Sequence, residues 1–133
     1  MRINKDKGFT LIELLGVIVI LSVIIMITVP LVQDKIEESR KDAFVASVDG
    51  YLRATRIKNT EEGITEFTVA DESITPSVEY RGEIQGEGII TYDNLGKAKV
   101  NIWNGKYCAV KSYQDSSVQL VSDVDNYEAC MRR

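Results

Sequence analysis

Glu13 is the one charged side chain in the 21 residues from Phe9 to Val29, an otherwise apolar run broken only by hydroxyls and a glycine. An ionised carboxylate at mid-bilayer costs on the order of 2.5 to 3.5 kcal/mol, less near the end of a span, so an acid in such a run needs a partner or a task. Two further sets of residues could do chemistry. Cys108 and Cys130 are the only cysteines, and Asp115, Asp123, Asp125 and Glu128 offer the oxygen donors that a hard cation such as calcium takes. Those acids do not follow an EF-hand spacing, and acids in a tail are more simply read as solvated. The chain has no histidine, which removes Ser-His-Asp and Cys-His arrangements and the H-E-x-x-H zinc site in one step. The glycines from Gly82 to Gly88 lack the Gly-Lys-Ser/Thr ending and the following helix of a phosphate loop, and read as turns. No catalytic residue is expected, and no enzyme.

The element that must position Glu13 is a helix. At about 1.5 Å per residue, a helix from Phe9 to Val29 covers roughly 30 Å, the thickness of a bilayer core. Upstream, "MRINKDKG" sets Arg2, Lys5 and Lys7 against Asp6, so the positive-inside rule leaves the N-terminus in the cytoplasm and sends the rest outward. A secretory signal would have a shorter apolar region closed by a small-residue cleavage site. Pro30 and Leu31-Val32-Gln33-Asp34-Lys35 follow instead, so ordinary signal cleavage is not expected.

The order Lys7-Gly8-Phe9-Thr10-Leu11-Ile12-Glu13 directly after the basic leader resembles the K-G-F-T-L-x-E signature of type IV pilin and pseudopilin precursors. About twenty apolar residues follow, and Pro30 falls where these proteins commonly carry a helix-bending proline. The likeness covers about the first third of the chain. It implies that a membrane-embedded prepilin peptidase cuts between Gly8 and Phe9 and methylates the new amino group of Phe9. It also implies that Glu13 of an incoming subunit recruits the N-terminus of its neighbour, and that the stretch from about Ser22 to Pro30 is open to melting in a filament. One consequence stands without the family. A free α-amino group has a pKa near 8, so cleavage would create a positive charge four residues from Glu13. The same carboxylate could instead serve the unpaired N–H groups of its own helix start.

The full chain carries 16 basic and 20 acidic residues; its first eight hold three and one, which leaves 13 against 19 and a net charge of −6 for residues 9–133. An acidic surface argues against a general grip on nucleic acid, which needs a basic face to displace counterions. Local groups such as Arg53, Arg56 and Lys58, or Arg132 and Arg133, are more simply a solvated face. After Pro30, apolar residues at Val32, Ile36, Ala43, Phe44, Val48 and Leu52 recur at three- and four-residue intervals, which predicts that the helix continues as an amphipathic one. Pro30 should kink or locally unwind it, and Gly63 should end it.

Beyond Gly63 the period changes. "TEFTVA", "SVEYRG", "GIITYD", "KAKVNIW", "KYCAVKSY" and "SVQLVS" read as strands of an antiparallel meander of three to five strands, covering the helix around Phe44, Val48 and Leu52. Asn104-Gly105 is the clearest hairpin signal, a two-residue turn of type I′. Outside the membrane a lone cysteine pair is more often a disulfide than two thiols, so a Cys108–Cys130 bridge is expected, tying down the tail as in pilins with a C-terminal disulfide loop.

The expectation is an α+β, pilin-like chain of four parts: a leader at 1–8, a membrane or filament-core helix at 9–30, its amphipathic continuation at 31–60, and a β-domain at 61–133. The resemblance implies a structural filament subunit of a pilus or of a competence or secretion pseudopilus. Its partners would be like subunits, the prepilin peptidase, the assembly machinery and, before assembly, membrane lipid. The competing reading is a monomeric single-span protein displaying a small binding domain. No cofactor is expected apart from the calcium candidate.

Overall fold

A computed structural model describes residues 8–133. The leader positions Arg2, Lys5, Asp6 and Lys7, on which the orientation argument rests, lie outside the described residues. Helix α1 spans Leu11–Glu62, and the chain divides into two compact units, 1–38 and 39–133. In the first unit α1 continues through Pro30 as unbroken helix.

The second unit is an α+β domain whose core forms where one face of α1 meets one face of a sheet. Strands β1 (Glu66–Ala70), β2 (Ser73–Thr75), β3 (Glu87–Tyr92), β4 (Ala98–Trp103), β5 (Cys108–Lys111) and β6 (Gln119–Val121) pair antiparallel in the order β2-β1-β3-β4-β5-β6. Alternation decides what is buried: Phe67 and Val69 from β1, Ile90 and Tyr92 from β3, and Val100 and Ile102 from β4 face Phe44, Val48, Tyr51 and Leu52 of α1. Side chains of this size gain about 1.5–3 kcal/mol each on full burial. Gly63, at φ +70°, follows the last helical residue, and its N–H donates to the Asn59 carbonyl at 2.9 Å, which closes the helix as its sequence predicts.

The described sheet has six strands, more than the three to five expected, and it departs from a simple meander at β2. The expected strand "SVEYRG" is irregular chain, and the strand is instead the short Ser73–Thr75, which pairs back onto β1 at the edge. Pro76 has no N–H to give a ladder, so β2 stops there. The following residues return across α1 to begin β3, and side chains of the helix serve their backbone. Tyr51 Oη accepts from the Gln85 N–H at 2.7 Å, and Lys58 Nζ donates to the Ser77 carbonyl at 2.7 Å. Tyr80 packs edge-on against Tyr51 with ring centroids 5.0 Å apart, over Gly50, where a Cβ would meet its ring at 2.7 Å.

Two turns differ from their sequence reading. The hairpin at Asn104-Gly105 exists, but the register pairs Trp103 with Cys108 and leaves four residues between them. Asn104 acts through its side chain, its Oδ1 accepting from the N–H groups of Lys106 and Tyr107 at 3.0 and 2.7 Å, while Gly105 alone takes positive φ. The two-residue connection lies instead between β1 and β2, where Asp71 and Glu72 hold φ +50° and +56°. Acidic residues there carried no Asn-Gly signature to announce it.

Burial raises the Tyr51 and Tyr92 phenols above the usual value of 10.0; for Tyr92 the opposing hydrogen bond from Thr55 is smaller than the desolvation. Their contribution to stability is complete below the unfolded value and falls as pH rises past it, because the unfolded chain then releases protons that the folded chain retains. Thermal melts between about pH 9 and 11 should therefore show a falling Tm, and Tyr92→Phe should flatten that fall.

Candidate functional site

Thr10 precedes the first helical residue, and its Oγ1 accepts from the Glu13 N–H at 3.3 Å while a Glu13 carboxylate oxygen accepts from the Thr10 N–H at 3.0 Å. This is a reciprocal capping box, and it satisfies donors that the start of a helix otherwise leaves unpaired. The acid also stands at the positive end of the helix dipole. Thr10-Leu11-Ile12-Glu13 has the Ser/Thr-x-x-Glu spacing of such a box, and the structure shows the local role in which Glu13 serves the N–H groups of its own helix start.

Gly8 and Phe9 lie outside the helix and are exposed, Phe9 at 92%. Beyond them the apolar side chains follow no stripe. Every large one from Phe9 to Val29 is at least 47% exposed, on all sides of the helix. A helix of this length and composition is able to cross a membrane, and one apolar all round must be covered by lipid or by other helices.

Along it, Ser22 Oγ donates to the Ile18 carbonyl at 2.6 Å and Thr28 Oγ1 to the Ile24 carbonyl at 2.7 Å. Hydroxyls that bond back in this way weaken and bend helices. Pro30 has no N–H for the Met26 carbonyl four residues before it. Ser47, Thr55 and Thr60 bond back in the same way further along α1, so the feature particular to the apolar part is the donor missing at Pro30.

In the second unit Cys108 and Cys130 form a disulfide with their Cα atoms 5.6 Å apart. Cys130 belongs to a short helix, α2 (Tyr127–Met131), which the sequence reading did not contain. Its N-cap is Asn126, whose Oδ1 accepts from the Ala129 N–H at 2.9 Å. The bridge, Val124, Trp103, Val110, Val121 and Met131 make a second small core on the face of the sheet away from α1. Asn101, buried in β4, donates from Nδ2 to the Cys130 carbonyl at 2.9 Å and so fastens α2 to the sheet.

The calcium candidates are engaged elsewhere or apart. The Ser112 N–H donates to the Asp115 carboxylate at 2.8 Å and holds its pKa below the usual carboxylate range. Glu128 pairs with Arg132 at 3.2 Å, and Asp123 and Asp125 are exposed. Among the described residues no three His, Cys, Asp or Glu side chains come together as a metal site.

Residues 3–29 match the family model described as the prokaryotic N-terminal methylation motif. Comparison with curated proteins and with solved structures gives no match.

Opening the disulfide removes the covalent tie between the tail and β5 and leaves the Asn101 hydrogen bond and the second core to hold α2. Closing a loop of 22 residues is worth about 3 kcal/mol in the chain-entropy model. Cys108→Ala with Cys130→Ala should lower unfolding stability by about that amount, measured by denaturant titration, and reductant should do the same to the unsubstituted chain.

Proposed function

We propose that this chain, which carries the type IV pilin-like prepilin signature at its N-terminus, is a structural subunit of a type IV pilus or related pseudopilus filament. The observation that carries the reading is the methylation motif over residues 3–29. The signature belongs to structural, pilin-type proteins, and the non-enzymatic reading follows from it.

In this reading prepilin peptidase cuts the Gly8–Phe9 bond and methylates the Phe9 amine. The exposure of both residues outside the helix supports access for a protease. Residues 1–8 are then the leader, 9–30 the membrane and later filament-core part of the helix, 31–60 its amphipathic part, and 61–133 the β-domain. The N-terminus faces the cytoplasm before assembly, the chain is held in lipid by its apolar helix, and the assembly machinery draws it into a filament at the cell surface.

Cleavage changes the surroundings of Glu13. The new amine stands one residue before Thr10, whose N–H the carboxylate already caps. Glu13 can hold that cap while its second oxygen accepts from the amine of an adjacent subunit, because a carboxylate has lone pairs for several donors. A charge-assisted bond of this kind inside an apolar bundle fixes axial register, since displacement along the bundle would leave both charges unpaired. The stretch from Ser22 to Pro30 is where the packed helix would melt and lengthen.

Intact mass of the protein taken from its host without reductant tests the processing. The expected mass is that of residues 9–133 with about 14 Da added for one methyl group and about 2 Da removed for the bridge. A mass retaining the leader would sink the reading. Glu13→Val should abolish filaments or reduce them severely in electron micrographs while leaving the cleaved, folded subunit in the membrane; assembly at the unsubstituted level would remove Glu13 from its role.

A further inference from the structure

The two ends of the sheet in the second unit differ in charge and in relief. Where β4 begins, the turn from Asp93 to Lys97 presents Leu95 to solvent, 80% exposed. The turn is firmly built. The Asp93 carboxylate accepts from the N–H groups of Leu95 and Lys97 at 2.9 and 2.7 Å, and the Asp93 N–H donates to the Lys97 carbonyl at 2.9 Å. An aliphatic side chain held out by a rigid turn is a knob without a socket in its own copy.

Arg56, Lys97 and Lys111 line the recess beside this turn, with Asp115 the one acid among them. Lys111 is buried, its Nζ donating to the Ala98 and Ser112 carbonyls at 3.0 and 3.3 Å, so its charge is fixed in place. Where β4 ends, Ile84, Trp103 and Tyr127 line a groove of about 650 Å³ that also carries Asp71, Glu72, Glu83 and Glu87. Among the described residues those acids do not gather as a metal site. The groove combines three large apolar or aromatic side chains with four carboxylates, which suits an aliphatic knob flanked by cations.

We propose that the Leu95 turn of one copy seats in the Trp103–Tyr127 groove of a second copy, with Lys97 and Arg56 facing Asp71, Glu72, Glu83 and Glu87. The proposal rests on the filament reading above. Knob and groove lie at opposite ends of the six-residue strand β4, about 20 Å apart, so one copy cannot fill its own groove. A contact between different surfaces of identical chains is heterologous, and repeated without closure it propagates as an open helical polymer. Exposed ion pairs are individually weak. Bundled N-terminal helices would hold copies at high effective concentration, where a weak contact suffices and its charges select register.

The test uses the full-length chain assembled in its host, with Leu95→p-benzoylphenylalanine as a photo-crosslinker. Irradiated filaments should yield crosslinked dimers and longer ladders, with the attached peptides containing Trp103, Tyr127 or residues 83–87. Filaments that give no crosslink, or crosslinks mapping elsewhere on a second copy or to another protein, overturn the contact and leave the filament reading standing. In a second arm, Lys97→Glu should reduce filament yield severalfold, and adding Glu87→Lys should restore it; an unchanged yield for Lys97→Glu alone also overturns the contact. The mass loss of the Cys108–Cys130 bridge reports that each variant has folded. If the unsubstituted chain keeps its leader and forms no filament, the filament reading fails and the contact fails with it.

Discussion

A helix that is apolar around its whole circumference cannot rest against one sheet or one neighbouring helix, because any single contact leaves most of its surface in water. The stretch from Leu11 to Val29 is such a helix, with every large apolar side chain at least 47% exposed. Its stability depends on a surrounding apolar medium, whether lipid or other helices. Glu13 breaks that uniformity at one end, where the capping box and the helix dipole make a carboxylate affordable. A carboxylate there still has lone pairs for a further donor.

The other unit obeys a different constraint. Its helix segment has a single apolar face, and the sheet supplies the complementary face through Phe67, Ile90, Val100 and Ile102. Tyr51 links the two kinds of order, since its ring lies in that core while its hydroxyl holds the irregular chain leading into β3. Tyr92 behaves alike from the sheet side, its hydroxyl donating to the Leu52 carbonyl at 3.0 Å and meeting Thr55 at 2.8 Å. Polar tips placed at the rim of an apolar core fix the angle of helix on sheet in a way that aliphatic packing alone does not.

Much of this was legible in the residues. The apolar run with its single acid, the switch from helical to alternating period after Gly63, and the cysteine pair each rest on a strong local pattern, and the structure follows them. What was not legible depended on context. Val78 and Tyr80 have strand-like composition, yet Tyr51 and Lys58 of α1 satisfy the chain around them, and no local pattern announces a distant partner. Asp71 and Glu72 make a tight turn at positive φ without the glycine that usually announces one. Helix α2 is five residues long, too short for a period to show, and the disulfide and Asn101 hold it where propensity alone would not. The capping box was written plainly, but the surrounding motif drew Glu13 toward an intermolecular role before its local one.

The sheet's borders carry a further consequence. β2 and β6, the outermost strands, are three residues long, and the chain leaves each for an irregular path. A longer bare border would be a template on which identical copies, crowded at the density of a polymer, could add strand to strand without limit. Borders clipped to three residues offer little ladder for such growth. Contacts that this domain makes with others then fall to its side chains, and can be made and withdrawn without refolding it.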